Sequence, residues 1–102
     1  MRPRQFQVEL SPTAIADLVE IHVFISRSAP LTADRLLAKL HQRARSLSIL
    51  PYRGTHAHDL SPKDRSVRQL TVSGYRMVYV VAADRVLILH FTHVARSPRK
   101  RK

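Results

Sequence analysis

The chain has 102 residues, with 18 Lys and Arg against 7 Asp and Glu, a formal charge of +11 at pH 7 and 44% apolar residues. A chain this short builds one hydrophobic core, which excludes multidomain mechanisms, and its apolar content is that of a folding domain rather than a basic tail. Cysteine is absent, which removes disulfides, thiol nucleophiles and cysteine-ligated metals, and Gly54 and Gly74 are too few glycines for a glycine-rich phosphate loop. The longest apolar run covers only residues 77–83, and the first ten residues lack the apolar stretch of a secretory signal. A cytoplasmic protein without a membrane segment is expected. The positive excess points to a polyanionic partner, whether nucleic acid, an acidic protein segment or an anionic membrane surface.

Residues 5–10 alternate Phe6, Val8 and Leu10 with Gln5, Gln7 and Glu9, the period of a half-buried strand. Ser11 before Pro12 reads as a helix cap followed by a residue suited to the first turn. The spacing predicts a helix over residues 12–27, with Ala14, Leu18, Ile21 and Ile25 on the apolar face and Asp17, Glu20 and Arg27 opposite. His22 falls inside the apolar arc and is expected to pack between helices. After Ser28-Ala29-Pro30, Thr32 and Asp34 are expected to cap a second helix. Its stripe is Ala33, Leu37, Leu40, Ala44 and Leu47, its basic ridge is Arg35, Lys39 and Arg43, and Leu50-Pro51 ends it.

Residues 53–65 have no apolar period and are expected to form a connecting loop. Strand-like segments follow at Val67–Val72 and at residues 75–81 and 86–93, joined by Ser73-Gly74 and Ala83-Asp84 turns. The order β-α-α-β-β-β is an α+β fold, a helical hairpin packed on a small antiparallel sheet. The domain is expected to span residues 1–95. Residues 96–102, in which Arg96, Arg99, Lys100, Arg101 and Lys102 meet no acid, read as a basic arm.

"SPTAIADLVEIHVFI", "LSILPYRG", "VRQLTVSGYRMVYVV" and "VLILHFTHVARS" occur in this order, and together they resemble the RelE/ParE superfamily of toxins from bacterial type II toxin–antitoxin pairs. The resemblance implies a toxin neutralised by a small, acidic or partly disordered antitoxin. That antitoxin would fold onto it as a helix and an added strand, giving a toxin–antitoxin hetero-oligomer; no cofactor is expected. It also implies one of two targets. ParE-like members block DNA gyrase without a known catalytic site, and RelE-like members cut messenger RNA on the ribosome. The terminal tyrosine and paired lysines of the RelE pattern are missing here: no Tyr follows Tyr79, and Val67 and Gln69 stand near the hairpin. A gyrase block is therefore favoured, with a RelE-like mRNA endoribonuclease as the alternative.

Metal-free RNA cleavage needs a base, a proton donor and cations to hold phosphorane charge. With Ala83-Asp84 as the turn, Val80 pairs with Leu87, Val78 with Leu89 and Arg76 with Phe91, which places Arg76 and His93 on one face. Arg76 would then clamp phosphate and His93 would act as base or acid; a turn one residue longer would substitute His90, otherwise expected to face the core. The competing reading of Arg76 is a solvated strand charge, and that of His93 a strand-end histidine bonded to a backbone carbonyl. Arg68 matches the superfamily's recurrent strand arginine, against a role in an ion pair with the hairpin. Arg68, Arg76, Arg96, Arg99, Lys100, Arg101 and Lys102 are the candidate contacts to a nucleic acid or other target. Tyr75 and Tyr79 are expected to fill the core, against a role in stacking on bases. His56 and His58 lack a third ligand at suitable spacing, so no metal site is expected, and Asp59, Asp64 and Asp84 read as isolated loop acids.

Overall fold

A computed structural model describes residues 5–96. Arg99, Lys100, Arg101, Lys102 and the rest of the expected basic arm after Arg96 lie outside the described residues. Strand β1 (Gln7–Leu10) leads into helix α1 (Pro12–Ser26), and helix α2 (Pro30–Ser46) returns beside it. Strands β2 (Thr55–His56), β3 (Val67–Val72), β4 (Tyr75–Ala82) and β5 (Arg85–His93) follow, and a 3-10 turn covers Val94–Arg96. The sheet has five strands in the order β1-β5-β4-β3-β2. Every pairing is antiparallel except β1 on β5, which is parallel because the helical hairpin carries the chain back before the meander begins.

Local chemistry explains the element ends. The Ser11 hydroxyl accepts the Ala14 N–H at 3.0 Å, the expected cap of α1. The second helix departs from expectation: it starts at Pro30, with Ala29 at the cap position and no side-chain cap bond. Proline at the first helical position lacks the N–H that a cap would satisfy, so Thr32 and Asp34 lie inside the helix. Asp34 instead accepts from His22 Nε2 at 2.8 Å, joining the two helices. The segment expected to be wholly loop contains β2, a two-residue edge strand that pairs Thr55 with Gln69 and His56 with Arg68. Both expected hairpin turns form, with Ser73, Gly74 and Ala83 at φ of 50°, 84° and 56°.

The helices cover one sheet face. Ala14 and Leu18 of α1 and Leu40, Ala44 and Leu47 of α2 are buried against Val72, Tyr75, Met77, Tyr79, Val86, Ile88 and Phe91. A fully buried side chain of the size of Leu40 or Ile88 contributes about 1.5–3 kcal/mol of transfer free energy. A smaller cluster on the opposite face packs Ala57, Val67 and Val78 with Leu60, Val80 and Leu89, and this clips the 57–66 loop over the sheet.

The expected register fails midway along β5. Val80 does pair with Leu87, but beyond it Tyr79 pairs with Ile88 and Val78 with His90, so Leu89 is an extra residue, a β-bulge. Helix α1 supports it: Ser11 Oγ–H donates to the Leu89 carbonyl at 2.7 Å, and Asp17 Oδ2 accepts the Phe91 N–H at 3.0 Å. Asp17, expected on the solvent side, thus faces the sheet.

Candidate functional site

The bulge decides which side chains meet. Beyond it Arg76 pairs with Thr92 and Tyr75 with His93, so His93 shares the helix-covered face with Tyr75 while Arg76 takes the other face. Tyr75 and His93 rings meet edge to face at 5.0 Å, and His93 Nδ1 accepts the Ala95 N–H at 3.1 Å. The expectation that Arg76 and His93 share a face is therefore corrected, because one inserted residue reverses the alternation of everything after it. His90, expected in the core, takes the face of Arg76 and Val78 for the same reason.

Arg76 is not a solvated strand charge, being only 8% exposed. Its Nη1 donates to both Asp59 carboxylate oxygens at 3.0 Å and to Gln69 Oε1 at 2.7 Å. Its Nε and Nη2 are buried and lack a hydrogen-bond partner. Asp59, expected to be an isolated loop acid, is thus the counter-charge of the strand arginine. The guanidinium borders an open cavity of about 600 Å³, whose wall includes Arg53, Thr55, His58, Asp59 and Gln69. Unpaired buried donors beside two further cationic or titratable side chains make this cavity suited to an anion with several acceptor oxygens.

Arg68 lies elsewhere. Its Nη1 donates to the Gly54 carbonyl at 2.6 Å, and its guanidinium stacks over the Tyr52 ring at 5.0 Å, so it fastens the α2–β2 connection to the sheet rather than pairing with a helical acid. The Gly54 N–H donates to Tyr79 Oη at 2.9 Å, and a Cβ at Gly54 would collide with that hydroxyl and with the Gln69 carbonyl. Burial pushes the Tyr79 hydroxyl above its ordinary value of 10.0, opposed by the Gly54 hydrogen bond and the charges of Arg68 and Arg53. His56 directs Nε2 to the Ser61 carbonyl at 2.8 Å, closing the loop on itself. Asp64 is held below 3.8, first by the Ser66 hydroxyl and then by the Ser66 N–H. Among the described residues no group of three or more His, Asp or Glu side chains assembles as a metal site.

A second surface lies on the hairpin. Ile15, Val19 and Val23 on α1 are exposed, and with Leu10, Leu37 and His41 they border an apolar groove of about 240 Å³ between the helices. These three residues lie outside the stripe of Ala14, Leu18, Ile21 and Ile25, but α1 is apolar around most of its circumference, so nothing in the sequence marks them as a separate surface. No helix among the described residues is long and apolar enough to cross a membrane.

Comparison with known proteins agrees with this fold. The curated protein Toxin RelE2 of Caulobacter vibrioides is 35% identical over 91 residues, covering 88% of this chain and 97% of that protein. Two solved structures share the fold. The chromosomal ParDE system from P. aeruginosa has a TM-score of 0.74 at 18% identity, covering 89% of this chain and 98% of that one. The toxin–antitoxin complex RelBE2 from Mycobacterium tuberculosis has a TM-score of 0.67 at 23% identity, covering 90% and 94%. The family model described as the ParE toxin of type II toxin–antitoxin system, parDE, matches residues 8–98. With nearly the whole chain matched, this protein belongs to the ParE toxin family of type II toxin–antitoxin systems.

Proposed function

We propose that the protein inhibits growth by a ParE-like block of DNA gyrase and is held silent by a small antitoxin. The observation that carries this reading is the separation of Arg76 from His93 on opposite sheet faces, which leaves a histidine-dependent nuclease without its phosphate clamp beside its base. Val67 and Gln69 also stand where the RelE pattern has lysines, which supports a binding mode rather than transition-state charge stabilisation. Arg76 contributes to the target surface through the cavity it borders, and Arg96, Arg99, Lys100, Arg101 and Lys102 add salt-dependent attraction. The groove bordered by Ile15, Val19 and Val23 is suited to the apolar face of an antitoxin helix.

A RelE-like ribosome-dependent endoribonuclease is the second reading, supported by the likeness to Toxin RelE2 and by the vacant donors of Arg76. Induction of the toxin alone distinguishes them. The gyrase reading expects inhibited supercoiling by purified protein, DNA breaks and a damage response while amino-acid incorporation initially continues, with His93→Ala nearly as toxic as the parent. Arrest of incorporation within minutes, with cut messages and no DNA damage, would replace it with the nuclease.

A further inference from the structure

We propose that Asp59 is a built-in carboxylate plug on Arg76, a side chain that occupies the guanidinium until a phosphate group displaces it. The proposal rests on the assignment of Arg76 to the target surface made above. Its first support is the geometry of the pair. A structural arginine–carboxylate pair commonly uses two nitrogens for two oxygens, whereas here Nη1 alone faces both Asp59 oxygens at 3.0 Å. The second is what the pair leaves undone. Nε and Nη2 remain buried without acceptors, a costly arrangement that a tetrahedral anion with more oxygens would relieve.

The third support is the way the loop is anchored. Leu60 packs on Ala57, Val67 and Val78, and Leu60 and Ser61 N–H groups donate to the Ala57 carbonyl at 3.2 and 2.9 Å. These contacts hold the backbone on either side of Asp59 through groups other than its carboxylate, so the loop's seat on the sheet does not depend on the Arg76 pair. Gln69 Oε1 is neutral and stays on Nη1 at 2.7 Å, which keeps the guanidinium oriented while the anion changes. Thr55, His58 and Arg53 line the space into which an arriving phosphate would fit.

The experiment titrates the purified full-length chain at fixed ionic strength with inorganic phosphate and, separately, with a short oligothymidylate. Calorimetry gives the affinity, and the Arg76 Nε–H resonance reports the location. Asp59→Asn, which keeps the shape and removes the charge, is expected to bind about tenfold more tightly. Gln69→Glu, which adds a second carboxylate to Nη1, is expected to bind about tenfold more weakly. A gain for the oligonucleotide identifies backbone phosphodiesters as the source, and a gain for inorganic phosphate alone identifies a free anion; either supports the plug. Unchanged affinity in Asp59→Asn, with a phosphate-dependent Arg76 Nε–H shift in the parent, overturns the plug and leaves the Arg76 surface standing. No Arg76 shift in any variant overturns both, while supercoiling inhibition by the same preparations tests the gyrase reading separately. Should Asp59→Asn fail to fold, undiminished binding by Gln69→Glu is the overturning result.

Discussion

Tyr79 carries more than its bulk at the centre of the sheet. It is fully buried, and its hydroxyl is the partner of the Gly54 N–H, so the sheet core and the loop that reaches the Arg76 cavity are joined through one phenol. Tyr79→Phe leaves that N–H unpaired and is expected to lower stability by about 1–3 kcal/mol in urea unfolding near neutral pH. The pH dependence has a definite sign. Burial raises the Tyr79 hydroxyl above 10.0, so the folded state holds this proton more tightly than the unfolded chain does. The contribution is complete below about pH 10 and is lost as the pH rises through the folded value, so Tyr79→Phe should flatten the alkaline loss of stability. Tyrosine in a strand rich in Val is readily read as core; the hydrogen bond to a glycine 25 residues earlier is set by three-dimensional approach.

The bulge in β5 is the element on which the site turns. It puts Leu89 and His90 in succession on the face away from the helices, and the helix beneath supplies the polar groups that the ladder no longer satisfies. Asp17→Ala removes the acceptor of the Phe91 N–H. The expected cost is about 1–3 kcal/mol, with faster hydrogen exchange at Phe91 than at Ile88 on the other side of the bulge. Equal exchange at both amides would show that the bulge survives without α1. The alternation Val86, Ile88 suits a regular strand, and nothing in residues 86–93 marks Leu89 as the insertion point. A turn register carried straight through the strand places His93 with Arg76, whereas the bulge, stabilised by Ser11 and Asp17 from 70 or more residues away, puts them apart.

At the scale of the whole molecule, one face of the hairpin exposes apolar side chains on a chain of charge +11. Such a surface needs a cover, and an acidic partner offers apolar contact and neutralisation together. Co-expression with the adjacent reading frame is expected to give a soluble complex that elutes earlier from cation exchange than the toxin alone. Val19→Glu alters a side chain that is 59% exposed, so stability should change by about 0.5 kcal/mol or less. Complex formation should nonetheless fall severely, measured by pull-down and by the return of growth inhibition despite the antitoxin. A Val19→Glu toxin still captured and silenced would move the antitoxin to another face.

The two helices, the first strand, the three-strand meander and the family are legible in the chain's local patterns. Residue periodicity, the Ser11-Pro12 start, both two-residue turns and the order of motifs act within a few residues of one another, and local backbone preferences are strong enough there to be read directly. Tertiary structure alone decided the parallel placement of β1, the short β2 pairing, the bulge, the burial of Arg76 and its meeting with Asp59. These depend on which backbone groups lose their ladder partners and which distant side chains can reach them. A carboxylate in a featureless loop carries no mark of the arginine 17 residues later that it neutralises until the small apolar cluster around Leu60 folds that loop over the sheet.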